Sequence, residues 1–278
     1  MKYQRGLTHH RLSDSPVIIA LGAFDGVHCG HQYLLSCGRK LADDHHALLA
    51  VLTFSSLPRM LLAPEEPSYA LTSSVHKRQL LEGAGVDILI EVPFSKELMA
   101  MEASDFLQTV ESMVTIDTWI GGRDLRFGRG GAGNCSFLEK RSEYTGMKTL
   151  FFERISASEE IVSSSRIRAL VMSGAFSEVH ALLGRPYSFM APCLSSGRAV
   201  FLLDTSALCL PSDGVYGATV AAAEWRASVD AVLCLHHDDR LPSLCEVIVD
   251  VATLPAIDFL EVTPRIFLSP SKRDLLVQ

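Results

Sequence analysis

Residues 17 to 42 constrain the fold more than any other part of this chain. An apolar, β-branched run, Val17–Leu21, passes directly into Gly22-Ala23-Phe24-Asp25-Gly26-Val27-His28-Cys29-Gly30-His31, and a helical pattern over His31–Ala42 follows. A buried strand feeding a glycine-rich turn and then a helix is how α/β domains build phosphate sites. The three glycines let the backbone approach an anion closely. The helix after the turn offers unpaired N–H groups and the positive end of its dipole. His28 and His31 add two imidazoles at the same place.

The pattern then repeats. Strands expected over Ala47–Phe54, Val86–Val92, Ile116–Ile120 and Lys148–Phe152 alternate with helices over Ser74–Glu82, Ala103–Val114 and Ser136–Tyr144. Such alternation implies a parallel sheet with helices on both faces, right-handed crossovers, and a ligand at the carboxyl ends of the strands. Two further helices, Ser164–Met172 and Phe176–Leu183, close this region. From Pro192 onward short apolar runs (Ala199–Leu203, Gly217–Ala222, Ala231–Leu235 and Cys245–Val251) carry little helical periodicity and read as a small, mostly antiparallel β domain. The expected boundary lies near Tyr187–Pro192, giving domains over 1–187 and 192–278.

Bulk properties exclude several classes. A net charge of −7 gives no general attraction to nucleic acid, and no apolar run approaches the roughly 18 residues that span a bilayer. The polar stretch before Pro16 is unlike a secretory signal. Seven cysteines stand singly at 29, 37, 135, 193, 209, 234 and 245, an odd count without CxxC spacing. That argues against a disulfide framework and a zinc knuckle, and makes the cytoplasm the expected compartment. Oligomeric state is not legible.

Three constellations carry chemistry. His28 and His31 with Gly30 between them at a strand-to-helix turn suit a metal poorly, since metal pairs sit at i, i+4 in a helix or beside a further ligand. They suit donation to phosphate oxygens as charge builds in a transition state, and no metal ligand is assigned. In Ile161-Val162-Ser163-Ser164-Ser165-Arg166-Ile167-Arg168 the hydroxyls and the helix-terminal N–H groups form a second anion cradle, with Arg168 able to grip a phosphate bidentately. In one α/β domain the two motifs make the halves of a triphosphate clamp. Gly121-Gly122-Arg123-Asp124-Leu125-Arg126-Phe127-Gly128 follows a strand and lies on the same sheet edge; alone it reads as a flexible glycine loop.

Taken in order, GxFDGVHxGH, TFxxxPR, a lysine-bearing helix before Gly85-Val86-Asp87, GxDxxFG, SSxxIR and Leu182-Leu183-Gly184-Arg185-Pro186-Tyr187 resemble the prokaryotic bifunctional riboflavin kinase/FMN adenylyltransferase family, often called FAD synthetase. The resemblance covers Val17 to Tyr187 almost continuously. It implies an α/β, Rossmann-like nucleotidyltransferase domain with a parallel sheet, followed by a small β-barrel-like domain. It also implies the reaction FMN plus ATP to FAD plus pyrophosphate, with Mg²⁺ carried on the nucleotide and small-molecule partners only. By that resemblance His28 and His31 are catalytic, and Gly22, Phe24, Asp25, Gly26 and Gly30 line the nucleotide. Asp124, Arg126 and Phe127 lie at the adenine or flavin side, and Ser164, Ser165 and Arg168 hold the β- and γ-phosphates.

The chain departs from the family pattern at several places. Ser55, Ser56 and Leu57 stand where an acidic residue, proline and histidine are usual, Leu125 replaces a phenylalanine, Gly131 an arginine, and Ser165 a threonine. In the second half, Leu210-Pro211-Ser212-Asp213-Gly214-Val215-Tyr216 matches the kinase's Leu-Pro-x-x-Gly-Val-Tyr stretch, which puts its Pro-Thr-Ala-Asn motif on Asp204, Thr205, Ser206 and Ala207. Thr205 remains and Glu246, followed by Asp250, aligns with the kinase's base, but the asparagine that would ligate Mg²⁺ is Ala207. The glycine-rich entry is reduced to Gly197-Arg198, and the Arg-Pro-Thr-Phe segment has no counterpart between Trp225 and Leu244. The expectation is a divergent kinase-like domain whose action on riboflavin is impaired; a drifted but working kinase is the alternative.

Overall fold

The structure is a computed structural model that describes residues 1–55, 69–153, 156–157, 160–196, 200–221, 228–235, 244–249 and 259–268. Ser56, Leu57, Gly197, Arg198, Trp225 and Asp250 lie outside the described residues. The chain divides into two compact units, Met1–Ser68 with Lys77–Val162, and Tyr69–His76 with Ser163–Gln278.

The first unit is built on six parallel strands, β1 (Lys2–Arg5), β2 (Pro16–Leu21), β3 (Leu48–Phe54), β4 (Ile88–Val92), β5 (Thr115–Gly122) and β6 (Lys148–Phe152), in the order β1-β4-β3-β2-β5-β6. The central strands are near-continuous apolar runs because both faces are covered. Along β2 the side chains alternate. Val17, Ile19 and Leu21 join one core cluster with Phe106, Leu107 and Val110. Ile18 and Ala20 join another with Leu34, Leu35 and Leu81. The helices are α1 (Cys29–Asp44), α2 (Ser74–Gly83), α3 (Lys96–Ala100), α4 (Ala103–Met113) and α5 (Cys135–Thr145). A short hairpin of β7 (Ser156–Ala157) and β8 (Glu160–Ile161) comes last. From β2 the chain moves outward through β3 and β4, then returns to the other side of β2 with β5. The strand order therefore reverses at β2/β5, and the turn after β2 sits at that switch point.

A carboxylate far from the switch point braces this frame. Asp87 accepts from the Leu49 backbone N–H (2.8 Å) and from Arg39 Nη1 (2.6 Å), fixing the start of β3 against α1. The Gly-Val-Asp block of the sequence is thus a structural clasp.

The second unit opens with α6 (Ser164–Met172) and α7 (Phe176–Leu183), so both helices group with the β domain, ahead of the boundary expected near 187. Six strands follow: β9 (Phe189–Ser196), β10 (Val200–Asp204), β11 (Gly214–Ala221), β12 (Val229–Leu235), β13 (Leu244–Val249) and β14 (Phe259–Leu268). They close a barrel in the order β10-β13-β12-β11-β14-β9, antiparallel throughout. Alternate residues such as Phe189 and Ala191, Phe201 and Leu203, and Ala218 and Val220 are buried. The Tyr187 hydroxyl donates to the Cys209 carbonyl, tying the chain entering the barrel to the loop after β10.

Several elements are not expected from the sequence. β1 reads Lys-Tyr-Gln-Arg, an edge strand with no apolar pattern, held by its pairing to β4. The β7–β8 hairpin is too short to show periodicity. β9 and β14 contain Pro192 and Pro264, a residue type that ordinarily interrupts strands. Pro192 pairs with Phe259 at the limit of the β9–β14 register, and Pro264 sits beside the register shift opposite Gly217/Ala218. Strand ends and bulges are where a sheet accepts proline.

Candidate active site

The turn after β2 is wound tightly. Phe24 (φ 49°) and Val27 (φ 40°) both occupy positive φ, as does Gly26 (φ 78°). For a buried β-branched residue such as Val27 this is a strained conformation costing on the order of 1–3 kcal/mol, which persists only where surrounding structure fixes it. That structure is visible. Gly22 N–H bonds to the Leu52 carbonyl (3.2 Å), Val27 N–H to the Phe24 carbonyl (3.3 Å), and Gln32 Nε2 folds back onto the Val27 carbonyl (2.8 Å). The Ala23 carbonyl accepts from Thr53 Oγ1 (2.9 Å) and Lys77 Nζ (3.3 Å). Phe24, Asp25 and Val27 are all buried.

Helix α1 starts at Cys29, two residues earlier than the sequence pattern suggests, and His31 lies in its first turn. The reason is local: extended His28 (φ −70°, ψ 172°) is the N-cap, and its Nδ1 accepts the His31 backbone N–H at 3.4 Å. With Nδ1 accepting, the neutral His28 ring carries its proton on Nε2. The two imidazoles stack with centroids 3.7 Å apart and planes 14° from parallel, and the Phe24 ring centroid lies 4.9 Å from that of His31. His31 Nδ1 is buried and has no hydrogen-bond partner among the described residues. Burial, with the His28 ring and the Lys77 ammonium nearby, holds the His31 imidazole well below its ordinary 6.5. Charge on two stacked rings at once is disfavoured, and His31 is the ring that burial holds neutral.

Lys77, on α2, is 5% exposed. Its ammonium donates to the Phe54 carbonyl at 2.5 Å and to the Ala23 carbonyl, joining the ends of β3 and β2. Burial lowers its pKa from 10.5, against the opposing pull of Asp25 and Glu91. The sequence points to a lysine-bearing helix but gives this residue no role. Its signal is a single lysine in an otherwise core-facing position, which periodicity alone does not distinguish from a surface residue.

The Gly121–Gly128 loop divides by burial. Leu125 and Phe127 are buried, Phe127 packing against Phe106 (5.5 Å) and Phe137 (6.0 Å). The Phe127 ring therefore belongs to the core, and the loop's exposed groups are Asp124, Arg126 and Arg123, the last paired with Glu153 at 2.6 Å. Phe127 and Gly133 exchange backbone hydrogen bonds of 3.0 and 2.9 Å that close the loop.

In the second unit, Ser163 is the N-cap of α6, accepting from Arg166 N–H at 3.3 Å, which places Ser164 and Ser165 in the first turn. Arg168 Nη2 donates to Ser165 Oγ at 3.1 Å. Thr205 is buried just after β10, and Glu246 lies on β13 in register with Leu202 and Cys234. The Ala207 carbonyl accepts from Ala70 N–H (2.8 Å), and Cys209 N–H donates to the Ala70 carbonyl (2.8 Å). The loop that aligns with the kinase motif is thus pinned by a backbone strap. Among the described residues no three His, Cys, Asp or Glu side chains gather as a metal-ligand set, and no helix is long and apolar enough to cross a membrane.

An open parallel sheet whose switch point carries His28 as the cap and His31 in the first turn of the outgoing helix defines a doubly wound α/β protein, a class that binds its ligands at this point. The FAD synthetase family model matches residues 10–166, and the chain belongs to that family. It is 29% identical over 184 residues to the bifunctional riboflavin kinase/FMN adenylyltransferase of Listeria monocytogenes, an alignment covering 66% of this chain and 58% of that protein. It is 26% identical over 200 residues to the FAD synthetase of the same organism, covering 72% of this chain and 79% of that one. A solved structure described as a macrolide-efflux protein from Streptococcus pneumoniae superposes with a TM-score of 0.77 over 100% of this chain and 96% of that one. At 22% identity that likeness concerns the fold alone.

Proposed function

We propose that the chain transfers AMP from Mg²⁺-ATP to FMN, giving FAD and pyrophosphate. The observation that carries this reading is the stacked His28–His31 pair at the switch point of a sheet whose family model is FAD synthetase. An FMN phosphate oxygen attacks the α-phosphorus, the bond to the β-phosphate oxygen breaks, and pyrophosphate leaves. The attacking phosphate is already ionised at neutral pH, so no general base is required. The protein's part is to align the reactants and to donate hydrogen bonds where charge develops. His28 Nε2–H and the His31 ring are the proposed donors, and the Gly22–Gly26 turn and Gly30 line the nucleotide. Asp124 and Arg126 are proposed ligand contacts; Phe127 supports them from the core. Ser164, Ser165 and Arg168 are proposed phosphate ligands in their own unit.

For the barrel, the proposal is a kinase-like domain impaired towards riboflavin. Ala207 in place of asparagine and the strap on the Ala207 carbonyl support it. The test is chromatographic: purified protein with Mg²⁺ and ATP, given FMN or riboflavin separately. FAD from FMN alone is expected. Flavin nucleotides from riboflavin as well would establish a bifunctional enzyme, and no product from FMN would remove the adenylyltransferase reading.

A further inference from the structure

We propose that Lys77 is a positioning residue for the His28–His31 turn, its buried ammonium locking the turn to the end of β3 and setting a positive charge near the His31 ring. The inference rests on the adenylyltransferase reading only for its kinetic arm.

The geometry is specific. Lys77 reaches from α2 to two carbonyls belonging to neighbouring strands, Phe54 at 2.5 Å and Ala23 at 3.3 Å. The Ala23 carbonyl also takes Thr53 Oγ1, so the peptide entering the positive-φ Phe24 is held by two donors from outside the turn. A buried lysine with carbonyl partners is an uncommon choice, because burying a charge is costly and a neutral donor would satisfy the same oxygens. What the ammonium adds is its charge. The groups facing it are Asp25 in the turn and Glu91 on β4, and Glu91 itself accepts from Tyr3 on β1 at 2.8 Å. The groups acting on His31 are the His28 ring and Lys77.

A positive charge near an imidazole disfavours the imidazolium, so Lys77 adds to burial in holding His31 neutral. His31 Nδ1 is enclosed and has no partner among the described residues. A protonated His31 stacked at 3.7 Å on His28 would repel any charge on that ring and strain the cap.

Three variants separate charge from tether. K77R keeps both, K77Q keeps a donor without charge, and K77M keeps only the aliphatic stem. Imidazole ¹H–¹⁵N titrations of the full chain, assigned with H31Q, read the His31 midpoint directly. It should move upward in K77Q and K77M and stay near wild type in K77R. In parallel, FAD formation from Mg²⁺-ATP and FMN should fall about 10–100-fold in kcat for K77M, with the acid limb of the pH profile moving up, and recover in K77R. An unmoved His31 midpoint in K77Q would overturn the proposal, as would a K77R enzyme as slow as K77M. If K77M does not fold, the K77Q titration decides the question by itself. If the wild type makes no FAD, the adenylyltransferase reading falls while the titration still decides the role of Lys77.

Discussion

Replacing Gly128 by alanine tests how the Asp124–Arg126 loop is held. Gly128 has φ +70°, and an added Cβ would lie 2.7 Å from both Cα and N of Ala103 at the start of α4. Those are backbone atoms, so neither can swing aside. Two costs add. At φ 70°, ψ 178° Gly128 occupies a region open essentially to glycine alone, so an L-residue there costs of order 1–3 kcal/mol, and forcing a carbon into a filled space costs about 1–3 kcal/mol. Gly130 provides the comparison: at φ 63°, ψ 13° it is in the ordinary left-handed region, with nothing within 4 Å of the place an added Cβ would take, so Gly130→Ala incurs only that region's smaller cost of about 1–2 kcal/mol. Urea unfolding of the two variants, followed by circular dichroism, should place G128A lower than G130A by about 1–3 kcal/mol. Because the same contact fixes the loop bearing Asp124 and Arg126, the KM for nucleotide or flavin should rise in G128A and not in G130A. Equal stability of the two variants would refute the close approach, and with it the view that Gly128 is a packing residue.

Further outcomes are expected elsewhere. His28→Ala removes a transition-state donor and the α1 cap together, so kcat should fall about 10²–10³-fold with a smaller change in KM for ATP, measured by steady-state FAD formation. His31 is held below its ordinary 6.5, so the folded state resists protonation that the unfolded chain accepts. Its contribution is full above pH 6.5 and is lost as pH falls below that value, by about 1.4 kcal/mol per pH unit until the folded-state midpoint is reached; urea titrations at stepped pH should show this slope and His31→Gln should flatten it. Asp87→Ala strips the Leu49 N–H and Arg39 of their shared acceptor and should cost about 1–3 kcal/mol in chemical unfolding, with Asp87→Asn nearer wild type.

Where periodicity is strong, the elements are legible to within a residue or two. Lys148–Phe152, Ser164–Met172 and Phe176–Leu183 match their expected ends, because each has a clear apolar pattern between polar caps or turn residues. Legibility fails where pairing, not sequence, makes the element. Lys2–Arg5 becomes a strand only because β4 offers an edge, and the strands holding Pro192 and Pro264 exist because barrel closure supplies partners and a register shift accommodates a proline. The site is legible in its reactive side chains, since His28, His31 and their glycines stand in one short segment. Lys77 is not, because its meaning comes from two carbonyls that are distant in sequence and meet only through the parallel pairing of β2 with β3.

The family motifs mix two kinds of residue, and their partners separate them. Asp87, Phe127 and Tyr187 hold the frame through a strand-end N–H, an aromatic cluster and a buried carbonyl. His28, His31, Asp124 and Arg126 are the residues proposed to meet a ligand. The departures noted in the sequence can be sorted by the same division. Leu125, where a phenylalanine is usual, is 8% exposed and packs in the core cluster with Phe127, so it exchanges one apolar filler for another. Gly131, where an arginine is usual, has φ +69° and lies 3.6 Å from the Arg126 side chain measured at its added Cβ. At that position the change removes a cation beside one of the loop's exposed groups, and Arg126 becomes the neighbouring guanidinium that remains. Arg123 and Arg129 nearby are paired with Glu153 and Glu102; under the proposed ligand role of this loop, Arg126→Ala should raise KM while leaving stability within about 0.5 kcal/mol of wild type, the usual range for a surface change.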